Sequence, residues 1–263
     1  MRLPWDEHVR TELVCDEHVR YLDGVTDRPR TPTTPTSRRE RPAKPALTRA
    51  GIIATAVSLL RAEGLEKVTM RRLAQELDTG PASLYVYVAN TAELHAAVLD
   101  ELLGEVELNP ADEGGDWRDR LAAVLTSYTG VLFRHPALAR SALTARPSGK
   151  HYLRLLERLL TLLNEGGVPL TQAAWGVDVL LQFATATAAE QATRSQSAQA
   201  ADEWDALTRA VHDVPARTHP RLHALAESLL SGSPEDRMTW CLQMLVNGIS
   251  QTPTPTPAPH SDS

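Results

Sequence analysis

From Leu47 to Ile249 apolar residues recur at intervals of three and four almost without a break, and this period leaves room only for an all-α architecture. Ala and Leu dominate the apolar positions and β-branched residues rarely cluster, which argues against sheet on independent grounds. The helix ends are marked as well. Thr48 is an N-cap in front of Ile52, Ala56, Leu59 and Leu60, which share one face, and Gly64 is the stop. Thr69 opens a short second helix with Leu73, Ala74 and Leu77 inward. Asp78-Thr79-Gly80 makes a tight turn, and Pro81 suits the first position of a third helix. Thr91 is expected to cap a fourth helix reaching about Glu107. After the loop NPADEGGD (109–116), helices are expected over about 117–134, 137–144, 149–165, 170–193, 203–212, 220–231 and 235–250.

The flanks have a different composition. Residues 25–46, VTDRPRTPTTPTSRRERPAKPA, form a Pro/Thr/Arg linker with nothing to bury, and TPTPTPAPHSDS (252–263) is a second such stretch; both are expected to be disordered. Ahead of the linker a ten-residue near-repeat, WDEHVRTELV then CDEHVRYLDG, sets His8 and His18 among carboxylates. It has no helix-face ligand spacing, so it reads as a short solvated helix rather than a metal site. The expected organisation is therefore an extension and linker over 1–46, a helical unit over 47–107, a second over 108–250 and a tail over 251–263.

The net charge of −6 hides an asymmetry. Residues 27–94 carry eleven Lys or Arg against seven acids, whereas the residues on either side are net acidic. One basic segment on an acidic body suits a polyanionic partner for that segment alone. Cys15 and Cys241 build neither a disulfide framework nor a zinc site. The longest apolar run, Val177 to Ala189, is interrupted by Asp178 and Gln182, so no membrane span is expected, and no signal peptide is visible. A cytoplasmic protein is the expectation.

Two short helices joined by a three-residue turn, behind a longer first helix, spell a helix-turn-helix. Both short helices are expected to run to eight or nine residues. At 100° per residue Leu84 and Val88 point inward from the third helix, with Pro81 beside them. The opposite face centres on Ala82 and Val86, is flanked by Ser83 and Tyr85, and has Tyr87 at its margin. That surface is small and uncharged. Ala82 and Val86 suit thymine methyls, Ser83 a base or phosphate, and Tyr85, Tyr87, Thr69, Arg71 and Arg72 suit phosphate oxygens.

Residues 48–107, above all GLEKVTMRRLAQELDTGPASLYVYVANTAEL (64–94), resemble the DNA-binding domain of the TetR family of transcriptional regulators. Gly64, Val68, Thr69, Arg71, Leu73, Ala74, Leu84, Tyr85, Val88, Asn90 and Leu94 all fall on family positions. The family's turn usually begins with Gly where this chain has Asp78, a residue that tolerates the left-handed conformation. Thr91 stands where the family usually has a phosphate-gripping Lys. Past residue 110, Trp117 to Leu121, Thr144 to Tyr152, the helix ending near Glu190 and HPRLHALAESLLSG resemble the C-terminal domain of tetracycline-repressor-like members. The resemblance implies a homodimeric, Ω-shaped, all-α repressor. An N-terminal helix-turn-helix domain would hold palindromic duplex DNA, with Gly80, Pro81 and Asn90 added to the contacts above. A C-terminal helical domain would bind a small-molecule effector and dimerise. The alternative is a regulator of the same fold with no effector.

The helix at 170–190 is apolar nearly all round, as is the last helix, so both need partners on two sides. Val177, Leu180, Leu181, Ala184 and Ala188 with Cys241, Leu242, Leu245 and Ile249 are expected to form the dimer interface. Trp117, Tyr128, Tyr152, Arg158, Trp175 and Leu181 are expected to line the effector cavity. His212, His219 and His223 lie close in sequence without a completing carboxylate or thiolate, and read as solvated. No metal, cofactor or catalytic constellation is expected. In tetracycline repressors His, Asn and Gln side chains hold the drug's polar edge. The matching positions here are Glu105, Val124, Ala142 and Arg158, and only Glu190 keeps the residue type used near the drug's metal. A magnesium–tetracycline complex is therefore not the expected effector. A largely apolar compound with one polar or acidic end is.

Overall fold

A computed structural model describes residues 46–109, 115–143 and 147–255. The DEHVR repeat, the basic linker up to Pro45, most of the NPADEGGD loop and residues 256–263 lie outside the described residues. Among the described residues the only regular secondary structure is helical. In chain order the helices are α1 (Arg49–Glu63), α2 (Met70–Glu76), α3 (Pro81–Leu84), α4 (Thr91–Leu102), α5 (Trp117–Phe133), α6 (Pro136–Ala142), α7 (Lys150–Glu165), α8 (Leu170–Ser195), α9 (Ala200–His212), α10 (Pro220–Leu230) and α11 (Pro234–Gln251). Short 3-10 turns follow α1 and α4, at Leu65–Lys67 and Leu103–Glu105.

Local chemistry sets the boundaries. The Gly51 amide donates to Thr48 Oγ1, and the chain leaves α1 at Gly64, whose φ of +86° suits glycine. Thr69 caps α2 by accepting from the Arg72 amide. The N-cap of α4 is Asn90 rather than Thr91: the Glu93 amide donates to Asn90 Oδ1 at 2.9 Å, and the Glu93 carboxylate accepts from the Ala89 amide at 2.7 Å. Thr91 becomes the first helical residue because the carboxamide one place earlier already fills the cap. Ser233 and Asp236 form a reciprocal capping box at the start of α11.

The long helix α8 is the axis of the C-terminal part, with α5, α6, α7 and α11 packed around it. Leu180 and Ala184 on α8, Leu155, Leu159, Leu162 and Leu163 on α7, and Leu125 and Leu132 on α5 have no exposed surface. Each such leucine contributes roughly 2 kcal/mol of burial. The N-terminal part closes on itself through α1 against α4 and α2, and meets the C-terminal part where α4 packs on α6 and α7. Gln172, buried on α8, donates to the carbonyls of Ile249 and Thr252 and so closes the end of α11. No helix among the described residues is long and apolar enough to cross a membrane.

Candidate nucleic-acid interface and the cleft behind it

The turn between α2 and α3 is built as its sequence requires. Asp78 takes φ +47°, and the Thr79 amide then reaches back to the Ala74 carbonyl at 2.8 Å. Both helices are shorter than the expected eight or nine residues. α2 has seven and α3 four, after which the chain continues as turn to Tyr87, with the Tyr87 and Val88 amides both donating to the Leu84 carbonyl. The run Tyr85-Val86-Tyr87-Val88 is poor helix former, and Gly80 offers no side-chain cap, so one helical turn is all that forms.

Leu84 and Val88 anchor this segment in the core. The other face is open: Val86 is 81% exposed, Tyr85 is 54% exposed, and Gly80, Pro81, Ala82 and Ser83 are exposed beside them. Arg71 is exposed on the neighbouring helix. Other residues expected at DNA are engaged within the chain. Arg72 forms ion pairs with Glu63 and Glu76, both at 2.7 Å, tying α2 to the end of α1; its hydrogen bond to Glu63 holds that carboxyl below the usual range. Thr69 and Asn90 cap helices, and Tyr87 is half-buried against the core. Thr69 and Asn90 nevertheless remain exposed beside the uncharged face and Arg71.

Behind this unit, two adjoining clefts of about 120 and 250 Å³ share Leu108, Asn109 and Arg154. His151 lines the first, while Glu157, Arg158 and Thr161 line the second. Arg158 Nε donates to the Leu108 carbonyl at 2.8 Å. Of the six residues expected to line an effector cavity, Arg158 alone lines these clefts. Trp117 lies against Gly166, where a Cβ would overlap its ring, and Arg118 covers that ring at 4.3 Å. Tyr128 is buried and hydrogen-bonds Thr185 at 2.7 Å; burial pushes its hydroxyl up to about 12 despite that bond. Leu181 is core, and Tyr152 is half-buried with its amide held by Asp100. Trp175 is 60% exposed, because its helix position turns it away from α5, α6 and α7. Arg154 went unnoticed in the sequence, although its i,i+4 spacing to Arg158 on an amphipathic helix carries the signal.

Much of the expected dimer stripe packs within the subunit. Val177, Leu180, Leu181, Ala184, Ala188 and Leu242 are buried in the subunit's own core, and Cys241 and Leu245 are half-buried. Ile249 packs over Gly176 so closely that a Cβ there would stand 2.6 Å from it. Large apolar groups instead face outward from the other side of the same two helices: Trp175 and Val179 on α8, Trp240 and Met244 on α11. Between the two parts of the chain, Glu105 bridges Arg61 at the end of α1 and Arg134 at the end of α5, at 2.8 and 2.9 Å. Burial pushes its carboxyl up, but the two guanidinium partners outweigh this and hold it below the ordinary value.

Comparison with known proteins agrees with this geometry. Residues 52–98 match the model of bacterial regulatory proteins of the tetR family, and residues 109–252 match that of the tetracyclin repressor-like C-terminal domain. The HTH-type transcriptional repressor DrrR1 of Streptomyces coeruleorubidus is 32% identical over 219 residues, covering 81% of this chain and 80% of that protein. The crystal structure of the Streptomyces transcription regulator SCO7704 shares 64% identity, with a TM-score of 0.69 over 82% of this chain and 100% of that one. Streptomyces coelicolor ActR, solved in complex with actinorhodin, shares 38% identity and a TM-score of 0.69 over 78% of this chain and 96% of its own. The chain belongs to the TetR family of transcriptional regulators.

Proposed function

We propose that the chain is a homodimeric repressor that grips a palindromic operator through the exposed α3 segment of each copy and releases it when a small organic effector binds beside α7. The observation that carries the DNA-binding half is Val86, an aliphatic side chain 81% exposed at the centre of an uncharged face that Leu84 and Val88 hold rigidly outward. A solvated valine there contributes nothing to folding, whereas a thymine methyl in a major groove covers it. The repressor named DrrR1 supports the regulatory sense. Dimerisation is supported by Trp175, Val179, Trp240 and Met244, all apolar and outward on the adjoining helices α8 and α11. Such a surface favours a second copy over water.

The effector half rests on the cleft and on ActR, which was solved with actinorhodin bound. Arg154 and Arg158 present two guanidinium groups to one cleft, against the single carboxylate of Glu157. An acidic end on an otherwise apolar compound suits them. Magnesium–tetracycline does not fit. Glu105 is engaged by Arg61 and Arg134, Val124 is wholly buried, and Glu190 pairs with Arg194 on the surface.

Mobility shifts on a selected duplex test the reading face. Arg71→Ala should weaken binding to all sequences by about five- to tenfold, while Val86→Ala and Ala82→Ser should change which bases are preferred. Unaltered base preference in both of the latter would show that this face does not read DNA.

A further inference from the structure

Asp100 is the only buried acid among the described residues, and it sits where the two parts of the chain meet. It lies in the last turn of α4, yet its partners are 51 and 52 residues away: the carboxylate accepts from the Tyr152 amide at 2.9 Å and faces the His151 amide at 3.5 Å. These are first-turn amides of α7, whose own N-cap, Gly149, has no side chain to offer them. The cap is thus supplied across the fold by another helix. Gly149 makes the approach possible, since a Cβ there would overlap the Asp100 carboxylate. A second contact reinforces the first. The His151 ring lies over Gly104, where a Cβ would stand 2.8 Å away, and its Nε2 is buried 3.9 Å from the Glu101 carboxylate.

The other end of α4 is tied to the DNA-reading unit. Asn90 caps it directly after the exposed turn, His95 Nε2 meets the Val68 carbonyl at 3.1 Å, and Glu93 pairs with Arg49 at 3.4 Å. α7, in turn, carries Arg154 and Arg158 into the clefts, within its first three turns. A buried carboxylate that loses its amide donors becomes an uncompensated charge. The α4–α7 register therefore holds as a unit or breaks as a unit, which is the property a two-state joint needs.

We propose that Asp100 is the positioning residue that couples the DNA-reading unit to α7, and that its cap on α7 belongs to the arrangement that binds DNA. The inference rests on the repressor reading given above. Coupling of this kind is reciprocal, so operator binding must tighten the cap just as a loosened cap must weaken operator binding.

The test is hydrogen exchange at the His151 and Tyr152 amides of the full chain, with and without the duplex most enriched from a random-sequence pool. In the wild type, DNA should slow exchange at these amides by fivefold or more. Asp100→Asn keeps the shape but removes the charge and one acceptor, and Gly149→Ala attacks the same contact from α7. Either variant should still fold and bind duplex, more weakly, with the DNA-dependent slowing lost. A residue of merely structural importance would raise exchange equally in both states. Slowing that persists in a folded variant, or a wild type whose α7 amides ignore DNA, overturns the coupling. A wild type that enriches no duplex at all overturns the repressor reading itself and the coupling with it.

Discussion

Val86 and Tyr128 are opposite cases of a side chain against its environment. Val86 was legible because the helical period that put Leu84 and Val88 inside left it outside, as the structure places it. Tyr128 is a buried phenol whose hydroxyl is raised to about 12, chiefly by desolvation. Its unfolded counterpart ionises near 10, so the unfolded chain loses a proton first as pH rises. Stability that is complete below about pH 10 should therefore fall progressively between pH 10 and 12, by roughly 1–3 kcal/mol from this group. Tyr128→Phe should cost about 1 kcal/mol at neutral pH by removing the Thr185 hydrogen bond, and should flatten that alkaline decline. Urea unfolding of both proteins at pH 7, 10 and 11 checks it, and parallel pH profiles would refute the assignment. The roles of Arg72 and Asp100 were not legible. A guanidinium in a helix-turn-helix suits a phosphate by type, and only the fold brings Glu63 within 2.7 Å of it. Asp100 reads as an ordinary surface acid until α7 arrives from fifty residues away.

At the scale of elements, caps carried the most information. Thr48, Gly64, Thr69 and Pro81 each mark a boundary that the structure keeps, because each acts on its immediate neighbours. Periodicity carried less on α8 and α11. A helix apolar on two sides announces that it needs two partners, but not which side takes which. The stripe of Leu180 and Ala184 went to the subunit core, leaving Trp175, Val179, Trp240 and Met244 outside. Two kinds of substitution should now separate. Leu180→Ala should lower subunit stability by about 2–5 kcal/mol. Trp175→Ala with Trp240→Ala should leave helicity intact and raise the dimer dissociation constant at least a hundredfold, since interface tryptophans are commonly worth about 2 kcal/mol each. Sedimentation velocity measures this directly. An unshifted monomer–dimer equilibrium in the double variant would move the interface elsewhere.

For the whole molecule, the charge asymmetry and the joint between the parts govern behaviour. The linker from Arg28 to Arg49 carries seven Lys or Arg, and deleting residues 1–45 should weaken DNA binding and reduce its dependence on salt, as expected for lost phosphate contacts. An unchanged salt slope would make that segment a tether only. Calorimetric titration with tetracycline and magnesium should show no micromolar binding, since Glu105 and Glu190 are held in arginine ion pairs and Val124 is buried in the core. The central claim is that two copies of this chain read one duplex through paired α3 segments. Selection of genomic fragments by the purified full-length protein, followed by sequencing, tests it most directly. The account predicts a single enriched inverted repeat whose half-sites lie about one helical turn apart, roughly 34–36 Å, or a multiple of it. Enrichment of an isolated half-site, or of no sequence above background, would contradict it.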